Sequence, residues 1–130
     1  MKRAISLLIL TLVAFPFTAL AQSMPAPSAV KIAKTADASM FTDVKGMTLY
    51  VYDPDTGGKS VCNGGCATNW PPLMAAADAA PVGKFSIITR DDGSKQWAYD
   101  SKPLYFWKND ANPGDTTGDG AGGKWHTAKP

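Results

Sequence analysis

Two heptapeptides govern what this chain can fold into: LYVYDPD at residues 49–55 and LYFWKND at 104–110, which share Leu, Tyr, an aromatic and a closing Asp at an offset of 55. Trp70 lies fifteen positions after Asp55 and Trp125 fifteen after Asp110, so the register continues past the motif. A period kept over that distance marks a duplicated supersecondary unit, and two copies of a strand with an apolar face can bury that face against each other. In an extended strand, alternate residues share a face. Tyr50 and Tyr52 therefore oppose Leu49 and Val51, and Tyr105 and Trp107 oppose Leu104 and Phe106. Both faces are apolar or aromatic, the pattern of strands covered on two sides, or covered on one and used as a platform on the other.

The rest of the chain supports an all-β reading. The segments AVKIAK, SMFTDV and MTLYVYD are short and β-like, with Lys45-Gly46 as a tight turn between the last two. KFSIITR, KQWAYD and PLYFWK follow, joined by Asp91-Asp92-Gly93-Ser94 and by Ser101-Lys102, and Asp92-Gly93 is the best hairpin signal present. The segment between, GGKSVCNGGCATNWPPL, reads as loop with at most one helical turn around Ala67 to Trp70, since Pro71 turns Trp70 out of helical geometry. After Lys108 a Gly- and Asp-rich loop runs to Trp125. All eleven acids are Asp, with 12 Gly and 10 Pro, so turn formers outnumber helix formers. The expected architecture is one small all-β domain over residues 30–130, built from two pseudo-repeated antiparallel β units with long Gly/Asp-rich loops. Repeat one is expected at about 38–73 and repeat two at about 95–128.

Residues 1–21 read as a signal peptide: a basic start Met1-Lys2-Arg3, an apolar stretch Ile5 to Phe17, and a small-x-small cleavage site Ala19-Leu20-Ala21. The apolar run is too short to span a membrane. Residues 22–29, QSMPAPSA, read as a linker. Removing Lys2 and Arg3 leaves 11 basic residues against 11 acidic, so binding to nucleic acid or another polyanion loses its support. About 109 residues then remain, enough for one domain and too few for two. The product is expected to be periplasmic or secreted. With no cysteine at the cleavage point, no membrane anchor is expected after processing.

Taken together, GMTLYVYDPD, SVCNGGCATNWPPL, RDDGSKQWAYDSKPLYFWKND and PGDTTGDGAGGKWH resemble a family of exported bacterial proteins. That family is described as a secreted repeat of unknown function, carries a Tyr-x-aromatic-x-x-Asp motif, and includes many lipoproteins. The resemblance covers nearly all of the expected mature chain. It implies export and leaves the chemistry open; the lipoprotein attachment does not carry over, because the cleavage-site cysteine is missing.

Cys62 and Cys66 enclose Asn63-Gly64-Gly65, and in an oxidising compartment the expected state is a structural disulfide. The alternative is a redox-active dithiol, although the usual redox motif has two intervening residues and precedes a helix. His126, the only histidine, could join Cys62 and Cys66 in a copper or zinc site, against which stand its solitary position and the expected oxidation of the thiols. Met40, Met47 and Met74 read as core fillers. The Asp-rich turns at Asp53, Asp55, Asp110, Asp115 and Asp119 read as turn caps rather than calcium loops, since no Glu is present to supply the usual bidentate ligand. GDGAGG at 118–123 has the glycine spacing of a dinucleotide loop, yet only seven residues follow it, so no helix can open from it. No serine elbow or paired-carboxylate pocket suggests hydrolysis, so an enzyme is not expected, nor is a cofactor.

The favoured function is an exported, non-catalytic envelope binding or interaction module for an unknown small molecule or envelope component. Tyr50, Tyr52, Asp55, Trp70, Tyr105, Trp107, Asp110 and Trp125 are its expected recognition surface. The bland counterpart is that these aromatics are core and cross-strand packing. The competing function is periplasmic redox or metal handling by Cys62, Cys66 and His126.

Overall fold

The two motif copies meet at their equivalent residue. In a computed structural model describing residues 9, 11–16 and 24–130, the Tyr50 N–H donates to the Tyr105 carbonyl (2.8 Å) and the Tyr105 N–H to the Tyr50 carbonyl (3.0 Å). An antiparallel pair of this kind has a local two-fold axis between its members, and the two halves of residues 31–129 are organised about it. The basic start and the cleavage site expected within residues 1–21 lie outside the described residues. Among the described residues no helix is long and apolar enough to cross a membrane.

Each half opens with a hairpin. In the first, β1 (Lys31–Lys34) pairs with β2 (Ser39–Thr42); in the second, β4 (Phe85–Thr89) pairs with β5 (Lys95–Tyr99). The chain then turns back, through Asp43 to Met47 in one half and Asp100-Ser101 in the other. Asp43 caps the first turn, its Oδ1 accepting from the N–H groups of Lys45 and Met47 at 2.9 Å each. The motif strand follows: β3 (Tyr50–Tyr52) in the first half, and β6 (Lys102–Pro103) running into Leu104 and Tyr105 in the second. A helical turn comes next, α1 (Gly65–Asn69) in the first half and a 3₁₀ turn (Ala121–Gly123) in the second, where an unbroken loop was expected. Last is the segment that completes the other half's sheet. β7 (Trp125–Thr127) pairs with β3, and Pro72 bridges Tyr105.

The backbone bonds repeat this correspondence. Leu73 N–H to Leu104 C=O (2.9 Å) matches Ala128 N–H to Leu49 C=O (2.8 Å), and Lys108 N–H to Asn69 C=O (3.0 Å) matches Asp53 N–H to Lys124 C=O (2.8 Å). In β2 and β5 alone the correspondence shifts by one residue. Leu49 N–H meets Phe41 C=O where Leu104 N–H meets Trp97 C=O, because one hairpin loop is a residue longer in the second half and the next turn a residue shorter. The strands that precede Ser39 and Lys95, β1 and β4, also correspond to each other, at an offset of 55.

Strand alternation sorts the motif residues between two cores. Leu49, Val51, Leu104 and Phe106 face a cluster of Phe41, Leu73, Phe85, Trp97 and Tyr99, in which the Phe41, Phe85 and Tyr99 rings meet at centroid distances of 4.6–5.2 Å. Tyr50, Tyr52, Tyr105 and Trp107 face a second cluster with Cys62, Trp70 and Trp125. The motif strands are therefore packed on both faces, with Tyr52 and Trp107 only half-buried on the second. From Met24 onward the expected linker is part of this packing: Met24, Ala26 and Ala29 lie against the first core, and the Val30 N–H donates to Pro27 C=O at 3.0 Å. Of the three methionines read as core fillers, Met40 is buried and Met74 is exposed.

Candidate functional site

The motif tyrosine and aspartate work across the halves. The Tyr50 hydroxyl donates to Asp110 Oδ2 and the Tyr105 hydroxyl to Asp55 Oδ2, both at 2.6 Å. Each repeat thus supplies the donor for the other's acid. Both tyrosines have no exposed surface and Asp110 is buried, which prevents these three side chains from meeting a ligand from outside. Burial, reinforced by the bond to Asp110, pushes the Tyr50 phenol well above its ordinary pKa, and burial with Asp55 does the same to Tyr105. Burial also raises the Asp55 carboxyl, opposed by hydrogen bonds from Tyr105 and the Val61 N–H and by the charge of Arg90.

The acids also close the loops that follow them. Asp110 Oδ1 accepts from the Thr117 N–H (3.0 Å) and Oγ1 (2.6 Å), and Asp55 Oδ1 from the Val61 N–H (2.8 Å). In the second half a further chain of bonds leads to Arg90. A phenol has one proton, which Tyr105 donates to Asp55 in a hydrogen bond, so Ser60 Oγ–H donates to the Tyr105 oxygen (2.6 Å) and itself accepts from Arg90 Nη1 (3.0 Å). The guanidinium also donates to Gln96 Oε1 (2.7 Å) and the Cys62 carbonyl (2.6 Å). Arg90, Ser60 and Gln96 escape motif reading because none belongs to the repeated pattern. One signal was present: Arg90 is the only arginine after Arg3 in a chain that otherwise uses Lys.

The aromatic members form a column. Tyr52 stacks on Trp125 (4.2 Å between centroids), Trp125 on Trp70 (3.8 Å, planes 3° apart), and Trp70 on Trp107 (4.2 Å). Trp70 and Trp125 are equivalent residues, so the two-fold relation passes between them, and Tyr50 and Tyr105 meet them edge-on in matching fashion. Gly118 lies so close that a Cβ there would fall 2.7 Å from Trp70 and 2.9 Å from Trp107. The inner rings are buried, while the end rings Tyr52 and Trp107 are half-buried. All four line an open groove of about 220 Å³ with Ala121, Gly122 and Lys124 on its rim. Of the eight residues expected at a recognition surface, Tyr52, Trp70, Trp107 and Trp125 are gathered here. Tyr50, Tyr105, Asp55 and Asp110 support the wall from behind.

Cys62 and Cys66 are joined as a disulfide with 5.2 Å between their Cα atoms, and both pack on the aromatic cluster. Each sulfur is bonded to the other, so neither is free as a thiolate ligand. His126 lies on β7 with Nε2 2.8 Å from Asp53 Oδ2, in the turn that follows the partner strand β3, at the surface. Among the described residues, no three His, Cys, Asp or Glu side chains converge to hold a metal.

The model of a family described as a secreted repeat of unknown function matches this chain twice, over residues 31–74 and 86–129. Both matches begin within the first hairpin of a half and end just past its closing segment, the Pro72 bridge in one and β7 in the other. No curated protein and no solved structure matches.

Proposed function

We propose, since the chain belongs to the family of secreted repeats of unknown function, that it is a non-catalytic binding module of the cell envelope, periplasmic or released, and that it captures a ring-shaped ligand in the groove along the aromatic column. The observation that carries this reading is the groove itself: four aromatic rings line it, and its end rings Tyr52 and Trp107 retain exposed surface. An apolar wall with few polar groups suits the flat face of a sugar ring, and Lys124 at the rim suits its hydroxyls. The non-catalytic part of the reading rests on where the perturbed groups point. Tyr50 is directed at Asp110, Tyr105 and Asp55 at each other, and Asp55 also at the Val61 backbone, where they serve the fold.

Tryptophan fluorescence titrated with cell-wall oligosaccharides tests the proposal. Binding is expected in the wild type. Trp107→Ala and Tyr52→Ala, which remove the end rings and keep Trp70 and Trp125, should weaken it at least tenfold. Stacking on one ring contributes roughly 1–3 kcal/mol in sequence-tolerant nucleic-acid grooves, and a comparable contact is expected here. Unchanged affinity in both variants would place the ligand elsewhere.

A further inference from the structure

Two strands stand at the edge of their sheets with no outer neighbour among the described residues: β1 in the first half and β4 in the second. The ladders fix which backbone groups each leaves over. Phe85 turns its N–H and C=O away from β5 to Val82 (2.8 and 3.0 Å), and Trp97, opposite Ile87, bonds Leu73 and Leu104 on its far side (2.9 Å each). Ser86 and Ile88 therefore carry the bonds to β5. The N–H and C=O groups of Ile87 and Thr89 point outward, with no partner among the described residues. The same alternation holds in β1, where Phe41, opposite Ile32, bonds Ala128 and Leu49, so Ile32 and Lys34 face out. The two equivalent edges differ in their side chains. β1 carries Lys31 and Lys34, which blunt strand addition; at the offset of 55, β4 carries Ser86 and Thr89, and its FSIIT holds no charge.

We propose that β4 pairs antiparallel with β4 of a second copy, about a two-fold axis at Ile88, so that the exported protein forms a transient dimer. Two observations select this occupant. First, the free backbone groups match this register. Ile87 of each copy faces Thr89 of the other, which uses the outward groups of both residues, and pairing ends there because Phe85 is already closed by Val82. Second, the flanking charge is self-complementary. Lys84 lies four residues before Ile88 and Asp92 four after, so each Lys84 comes to the Asp92 turn of the other copy. Both are exposed, no ion pair among the described residues includes either, and Asp92 spends only Oδ1 on Ser94. A short ladder flanked by exposed ion pairs is a small interface, which makes the association weak.

Sedimentation of the exported protein over a concentration series tests this, with amide hydrogen exchange as a second readout. Dimerisation is expected with a Kd of about 0.1–1 mM. The Ile87 and Thr89 amides should be protected at high concentration and exchange freely when dilute. Thr89→Lys gives β4 the residue that β1 carries at the same place, and should weaken the dimer about tenfold or more. Lys84→Asp and Asp92→Lys each set like charges together and should each weaken it about tenfold. An equimolar mixture of these two variants should dimerise as the wild type does, because every contact again joins opposite charges. Four results would each overturn the proposal: a protein that stays monomeric throughout, a dimer that protects the Ile32 and Lys34 amides instead, Ile87 and Thr89 amides protected at every dilution, or a mixture no stronger than its components. No residue of β4 lines the aromatic groove, so failure here leaves the ring-binding reading standing.

Discussion

At the residue scale, the decisive choice is that each motif tyrosine bonds the aspartate of the other copy. The five-residue spacing of Tyr and Asp was legible, yet it reads naturally as an internal pair or as a turn cap. Which acid a phenol meets depends on how two distant strands dock, and a repeat makes the two answers look identical. The burial of Tyr50 and Tyr105 carries a titration consequence. Folding raises both phenols above the ordinary value of 10.0, so the native state keeps protons that the unfolded chain releases, and stability falls as pH rises from about 10. Each tyrosine contributes a slope of up to about 1.4 kcal/mol per pH unit in that range. Urea unfolding of the wild type at pH 9 and pH 11 should show the loss. Tyr50→Phe/Tyr105→Phe should be less stable at pH 9, by about 1–3 kcal/mol for each acid left without its donor, and should lose less between the two pH values. An equal loss in both proteins would mean that other groups drive the alkaline transition.

At the scale of elements, the hairpins were the readable part. Period-two alternation and Asp-Gly signals located β2, β4 and β5 to within a residue or two, because these strands pair with neighbours close in sequence. The partners of β3 and β7 were out of reach, since that pairing joins the halves over more than seventy residues. The 3₁₀ turn was hidden as well, because its glycines lower helix propensity and the register alone puts it opposite α1. The connection between β5 and β6 offers a test of local chemistry. Its two loop residues, Asp100 and Ser101, sit at φ 48° and 64°, the mirror-image turn that Asn-Gly or Asp-Gly adopts most readily. Ser101→Gly removes the Cβ from that conformation and should stabilise the protein by roughly 0.5–1 kcal/mol, read as a raised urea midpoint with an unchanged slope. A lower midpoint would mean that the serine side chain contributes more than the strain it carries.

At the scale of the whole molecule, duplication explains why so small a chain has two cores and yet no natural cut between its halves. The duplicated motif was visible in the sequence, and so was the idea that the copies shield each other. What could not be read was the degree of exchange: the motif strand of each half pairs with the closing segment of the other, each tyrosine bonds the other's acid, and Trp70 stacks on Trp125. A half taken alone would expose one side of the Tyr50 or Tyr105 strand and leave a carboxylate without its donor, in a chain of about fifty residues, fewer than a single domain of this kind normally needs. Peptides covering residues 24–78 and 79–130 should each be unfolded by circular dichroism. Mixed in equal amounts, they should regain β structure and the near-ultraviolet signal of the stacked tryptophans, since the contacts that join the halves are the ones each peptide lacks. Folding of either peptide by itself would show that the exchange across the two-fold relation is decoration on two independent units. Recovery only on mixing would establish that the Tyr50–Tyr105 pair is the axis on which the molecule assembles, and hence that the aromatic groove, built from rings of both halves, exists only in the assembled form.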